Sequence, residues 1–203
     1  MQGKLLLPAY YMPPISYFQA IVQQPDEIVI DQSEHYPKQT YRTRTRIGTA
    51  NGILELFVPI LHGRKTHIPM KDVKISDDHP WQRLHWQSIQ TAYRSSAYFE
   101  YYEDDLNYFY ENKFEYLVDY NAQQVKLFLK MLKIKREVSF SETFEPYNTE
   151  EIDYRRGIHP KQVLDIDSIK PYHQVFEDRQ GFIPNLSILD LLCNQGPQSK
   201  NFL

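Results

Sequence analysis

Cysteine is nearly absent from this chain. Cys193 stands alone, which excludes an internal disulfide framework and a multi-cysteine metal site. It lies in the apolar run Ile188-Leu189-Asp190-Leu191-Leu192-Cys193, where a small buried hydrophobe is the expected role. Glycine is scarce too, at seven residues. Neither GxGxxG nor GxxxxGK[ST] occurs, so the backbone cradle that such loops offer a phosphate is missing. GxSxG, HExxH and CxxC are absent as well. His62 and His67, like His79 and His85, are badly spaced for one metal on a helix or a strand. Neither a metal nor a cofactor is expected. No apolar run approaches the roughly 18 residues of a membrane span, and the longest, Ile53 to Leu61, is broken by Glu55 and Pro59. The N-terminus shows no secretory pattern, so a cytoplasmic, reducing compartment is the expectation. Excess positive charge is lacking: a net charge of -3 and a pI of about 6.2 leave no electrostatic footprint for nucleic acid.

What is present is aromatic. Sixteen tyrosines and eleven phenylalanines occur in 203 residues. Each buried tyrosine hydroxyl needs a partner, and an exposed ring offers a face to a sugar or a base. The length suits one domain, residues 1–203, able to bury roughly 70% of its unfolded surface.

The pattern predicts an α/β fold: a mixed sheet with an N-terminal βαβ unit and a β-hairpin, a helical layer over about 79–133, and a mostly loop C-terminal segment. Residues 1–76 read as mostly sheet with one helix, 77–133 as helical, and 134–203 as loop-rich with a short helix at 188–194. Lys4 to Tyr11 reads as a buried strand ended by Met12-Pro13-Pro14. Ile15, Phe18, Ile21 and Val22 form one face of a helix, and Glu27 to Asp31 is the next strand. Asp31 then falls at a strand's C-terminal end, where α/β sheets bind ligands. Asn51-Gly52 is a hairpin turn. Asp77 or Asp78 can cap a helix carrying Trp81, Leu84, His85, Ser88, Ile89 and Ala92 on one face. Ser95-Ser96 separates it from Tyr98 to Tyr110, and a third helix runs from about Ala122 to Lys133. Pro146 to Arg156 reads as a loop, Asn185 or Ser187 as the cap of the last helix, and Gln198 to Leu203 as a fraying tail.

Chemistry centres on Tyr41-Arg42-Thr43-Arg44-Thr45-Arg46-Ile47. As a strand it puts Arg42, Arg44 and Arg46 on one face and the threonines on the other. Three guanidiniums in a row repel one another unless carboxylates or a bound anion face them. Two readings stand: pairing with cross-strand glutamates such as Glu55, or an anion site for a nucleotide diphosphate, sugar phosphate or carboxylate. Asp31 is a candidate base, ribose ligand or metal ligand, or only a loop cap. Asp153-Tyr154-Arg155-Arg156 with His159 and Lys161 offers acid–base and anion-binding groups, or a solvated loop. His85 is a core histidine or a catalytic one, and Arg94 reaches an anion or only solvent.

Leu7-Pro8-Ala9-Tyr10-Tyr11-Met12-Pro13-Pro14-Ile15-Ser16-Tyr17-Phe18 opens a second kind of argument. It is followed by Ile28-Val29-Ile30-Asp31, Lys38, Arg44-Thr45-Arg46-Ile47, Val58-Pro59-Ile60 and Trp81 with His85 and Ile89. Tyr93 with Ala97-Tyr98-Phe99, Ile158-His159-Pro160-Lys161 and Leu186-Ser187-Ile188-Leu189-Asp190-Leu191-Leu192 complete the series. Nearly the whole chain in this order resembles the WbqC-like family. The family's opening glutamine-proline is Leu7-Pro8 here, Thr43 replaces an asparagine, and Gln32 stands where members carry a second aspartate. Asp31, Lys38, Arg44 and Arg46 match the pattern.

The resemblance implies a bacterial cytoplasmic protein of O-antigen and polysaccharide biosynthesis, acting on a nucleotide-activated sugar. On that reading the protein is a transferase, with Asp31, His159 and Lys161 catalytic and Lys38, Arg42, Arg44 and Arg46 anion-binding. Tyr10, Tyr11, Tyr17, His85 and Arg94 are the candidate substrate contacts. The alternative is a non-catalytic binding or assembly partner in a glycan-biosynthesis complex, docking through the aromatic helices. Oligomeric state is open.

Overall fold

A computed structural model describes residues 4–24, 27–61, 67–144, 146, 152–161 and 169–203. The sequence from His62 to His67 reads as a basic surface turn, and its residues 62–66 lie outside them. Strands β1 (Lys4–Leu7) and β2 (Glu27–Ile30) run parallel, joined by helix α1 (Ile15–Gln23) in the expected βαβ unit. Leu5, Leu6 and Leu7 have no exposed surface, because a parallel sheet is covered on both faces. Each such side chain contributes roughly 1.5–3 kcal/mol by leaving water. On α1, Ile15, Phe18 and Ile21 are buried as expected, while Val22 is exposed on the flank of the helix.

The helices follow in order: α2 (Trp81–Tyr93), α3 (Phe99–Glu111) and α4 (Leu117–Met131). The α2 stripe is narrower than its spacing predicts: Trp81, His85, Ile89 and Ala92 are buried, but Leu84 and Ser88 face solvent. Pro80 occupies the α2 N-cap, and Asp78 pairs with Ser76 instead of capping. Helix α4 begins five residues before the expected Ala122, because Leu117, Val118 and Tyr120 are apolar enough to join its buried face.

Strand β5 (Val138–Phe140) joins β2 on one side, and β6 (Ile152–Asp153) joins β1 on the other. The result is a parallel sheet in the order β5-β2-β1-β6. Strand β6 lies inside the segment expected to be loop, since its charged flanks hide any strand periodicity. The hairpin β3 (Arg44–Thr49) and β4 (Gly52–Phe57) forms its own two-stranded antiparallel sheet. Its turn needs Gly52, whose φ is 106°.

Short helix α5 (Glu177–Gln180) precedes α6 (Ile188–Gln195). The start of α6 ties the hairpin to the βαβ unit. Ser187 N–H donates to the Arg46 carbonyl (2.8 Å), Ile188 N–H to the Pro13 carbonyl (2.8 Å), and Ile15 N–H to the Leu186 carbonyl (3.1 Å). Ser187 also caps α6 by accepting from Leu189 N–H.

The expected fraying tail is instead a 3-10 helix, Gly196–Phe202, with Ser199 buried. Gly196 has a φ of 52°, and a Cβ there would lie 2.4 Å from Cδ1 of Tyr98. Gly196→Ala is expected to cost at least ~2 kcal/mol, from backbone strain plus overpacking, read as a fall in thermal midpoint. An unchanged midpoint would show that Tyr98 moves aside freely.

Candidate functional site at the sheet rim

The C-terminal ends of β1, β2, β5 and β6 meet in a layer of buried polar groups. Backbone ladders continue one step past the strands: Asp31 N–H donates to Leu7, Ser141 N–H to Ile30, and Tyr154 N–H to Leu6. Asp31 therefore sits where expected, but with no exposed surface. Its Oδ1 accepts from Ser33 N–H (2.9 Å), Glu34 N–H (3.1 Å) and Ser141 Oγ–H (2.9 Å). Its Oδ2 accepts from the Arg155 guanidinium. Asp31 thus holds a loop and an arginine, and its lone pairs are committed.

Arg155 spans two carboxylates. Besides Asp31 it bonds Asp153 through Nε and Nη2. Asp153 first, then Asp31, hold its charge more firmly than in water. A second buried pair lies beside the first. Arg42 grips Glu34 with two bonds of 2.6 Å and donates to the Arg155 carbonyl at 3.2 Å. Burial pushes the Glu34 carboxyl up, and Arg42 acts against that shift.

Arg42 has left the arginine ladder. Tyr41 to Thr43 form a turn, and the strand starts at Arg44. Desolvation is the reason: Arg42 is 1% exposed and a buried guanidinium needs a carboxylate, which Glu34 supplies. Its guanidinium also lies 5.4 Å from the Tyr10 ring centroid.

Arg44 and Arg46 keep the predicted strand alternation. Both turn to one carboxylate, Glu55, at 3.5 Å and 2.9 Å. Among the described residues, one glutamate faces two arginines and leaves one positive charge without a carboxylate of its own. Arg44 also stacks over Phe57, 4.9 Å from the ring centroid, and its buried Nε has no hydrogen-bond partner among the described residues.

The 158–161 segment closes over the same rim. Tyr10 donates its hydroxyl to the Ile158 carbonyl, and Lys161 Nζ reaches Gln39 Oε1 at 3.3 Å. Burial first, then Lys161, Arg44 and Arg42, hold the His159 pKa below its ordinary value. The imidazole is therefore neutral near pH 7. Its Nδ1 accepts from Lys161 N–H at 3.1 Å, which leaves the proton on Nε2 as a hydrogen-bond donor. Lys38 is exposed on the adjoining loop.

The remaining candidates lie in the packed interior or away from the rim. Tyr17 is buried and donates to the Pro8 carbonyl (3.0 Å). Tyr11 is buried between His85 Nδ1 (2.9 Å) and the Tyr110 hydroxyl (3.0 Å). Desolvation lowers the His85 pKa to about 4, as for a core histidine. Arg94 is on the exposed side of α2 and pairs loosely with Glu103 at 3.5 Å. Glu34, Asp153, Arg155 and Ser141 complete the rim. Asp153 and Arg155 were legible as members of a charged segment, Glu34 and Ser141 only as polar residues, and none of their pairings was visible in the sequence. Among the described residues, no three His, Cys, Asp or Glu side chains gather as metal ligands.

A family model described as the WbqC-like protein family matches residues 9–167. The chain belongs to that family. The matched stretch contains every polar side chain of the rim just described. A Mycobacterium tuberculosis (strain ATCC 25618 / H37Rv) protein described only as uncharacterized is similar to this WbqC-like chain. The two are 25% identical over 231 residues, which span 100% of this chain and 98% of the relative. No solved structure matches it. No helix among the described residues is long and apolar enough to cross a membrane.

Proposed function

We propose that the rim binds the diphosphate of a nucleotide-activated sugar, and that the protein is a transferase of bacterial surface-polysaccharide biosynthesis. One observation carries the binding step: Arg44 and Arg46 share a single carboxylate. A diphosphate supplies the missing negative charge and can take two guanidiniums at once. Glu55 then acts as a placeholder that keeps both side chains extended. The neutral His159 donates from Nε2, and Lys161 offsets charge that develops on the phosphate oxygens. Arg42 and Arg155, spent on Glu34, Asp31 and Asp153, hold the rim in shape. The polysaccharide setting comes from the family likeness.

A non-catalytic partner role is the second reading. It is favoured by one feature: neither Asp31 nor His159 offers a free lone pair in this conformation to take a proton. A panel of nucleotide sugars separates the readings. Binding is expected to raise the thermal midpoint by several degrees, and Arg44→Ala with Arg46→Ala to abolish the rise. No shift across the panel sinks the nucleotide-sugar reading. A shift without turnover on any acceptor favours the partner role.

A further inference from the structure

The buried acid of α6 sits apart from the rim chemistry, beside a cavity of its own. Asp190 is 2% exposed. Its Oδ2 accepts from the Tyr172 hydroxyl (2.6 Å) and Gln174 Nε2 (3.0 Å). Oδ1 receives no hydrogen bond among the described residues. That oxygen faces Gly48, and a Cβ at Gly48 would stand 3.5 Å from it. The space beside it, a cavity of about 10 Å³, is lined by Gly48, Thr49, Gln174, Phe176, Ile183 and Leu186 with Asp190. Its floor has room for a water-sized group.

Among the described residues, no cationic side chain answers this carboxylate. The groups around it are Tyr93 from α2, Tyr172 and Gln174 from the preceding segment, and Cys193 from α6 itself. Tyr93 turns a buried hydroxyl toward the carboxylate and favours its charged form, without closing a hydrogen bond of ordinary geometry among the described residues. Isolated carboxylates are expensive to bury, and Asp31, Asp153 and Glu34 in this same protein are each matched to an arginine. Gly48 matters because a side chain there would take up space beside the open oxygen, its Cβ in van der Waals contact with it.

We propose that this cavity is a binding subsite for ammonium or the ammonium tip of a primary amine, with Asp190 Oδ1 as its charge partner. A compact N–H donor fits the floor, pairs with the open oxygen and gives Asp190 a cationic partner, as each rim acid has in Arg42 or Arg155. The subsite does not depend on what the rim binds, although Gly48 is only two residues beyond Arg46, about 7 Å along β3.

The test uses the intact protein with ammonium chloride or methylammonium chloride, against tetramethylammonium chloride at equal ionic strength. Carboxyl carbon NMR reads the Asp190 midpoint, and thermal unfolding reads stability. Ammonium and methylammonium are expected to lower the Asp190 midpoint by at least one pH unit and to raise the thermal midpoint. Tetramethylammonium, with no N–H and too large for the floor, is expected to do neither. Gly48→Ala retains Asp190, meets the tip of Leu186 at 3.1 Å and touches Asp190 Oδ1 at 3.5 Å, and is expected to remove the ammonium effect by filling the space beside that oxygen. Asp190→Asn is expected to remove it too. Equal midpoints in all three salts would overturn the proposal and leave a cavity that holds water only. Persistence of the effect in Gly48→Ala would overturn it as well.

Discussion

Arg155→Met is expected to destabilise the protein by about 3–5 kcal/mol in denaturant unfolding at pH 7. The substitution keeps the length of the side chain but leaves Asp31 and Asp153 facing each other without a cation. Asp31 has no exposed surface and the Asp153 side chain is 2% exposed, so water cannot substitute. Most of the cost is the uncompensated charge, not the lost attraction. Asp31→Asn and Asp153→Asn added to Arg155→Met are therefore expected to recover a large part of the loss, because an apolar and amide cluster needs no counter-ion. A loss below about 1 kcal/mol for Arg155→Met would mean that the network is solvated and not structural. The same experiment bears on function. If the network only shapes the rim, the triple variant retains the nucleotide-sugar response that depends on Arg44 and Arg46.

The second large effect concerns acid. His85 is shifted from 6.5 down to about 4 by burial. The unfolded chain takes up this proton near pH 6.5, whereas the folded one resists until about pH 4. Stability from His85 is thus complete above pH 6.5 and lost as the pH falls to 4, on the order of 3 kcal/mol in all. Asp190 works in the opposite direction. Its pKa is raised by burial from 3.8 to about 6, so its contribution is complete below pH 3.8 and lost as the pH rises to 6. That is again on the order of 3 kcal/mol. Between pH 6 and 4 the two slopes oppose, and a nearly level stability profile is expected. Asp190→Asn removes one slope, so this variant is expected to lose stability steeply on acidification. His85→Gln is expected to gain stability over the same interval, whatever its midpoint at pH 7. Thermal midpoints every half unit from pH 4 to 7 decide the matter. A profile for Asp190→Asn parallel to that of the parent protein would refute the assignment.

Both effects come from groups whose importance is hard to read along the chain. Asp190 stands in an apolar run, and helical periodicity marks its neighbours as core without saying what happens to the acid. Its partners Tyr172 and Gln174 arrive from an extended segment with no periodic signature. Asp31 was legible as a strand-end acid, because β2 is short, apolar and bounded. Its partner Arg155 lies 124 residues away, and β6, which delivers it, is two residues long. Charge pairing across such distances leaves no local spacing to detect.

The ladder separates the two levels of information most sharply. Strand alternation put Arg44 and Arg46 on one face and Thr45 on the other, and the hairpin keeps that arrangement. Thr45 donates inward to the Met12 carbonyl at 2.8 Å while the two arginines turn to Glu55. Backbone geometry is a local property, so two-residue periodicity and the Asn51-Gly52 turn suffice to specify it. The βαβ unit, the buried face of α1 and the family likeness were determined in the same way. Local pattern made Arg42 the equal of its neighbours. The tertiary fold made it different, by burying it against Glu34 at the sheet rim. Which charge is spent inside and which stays available depends on desolvation and on partners brought from afar. Only the packed chain decides that.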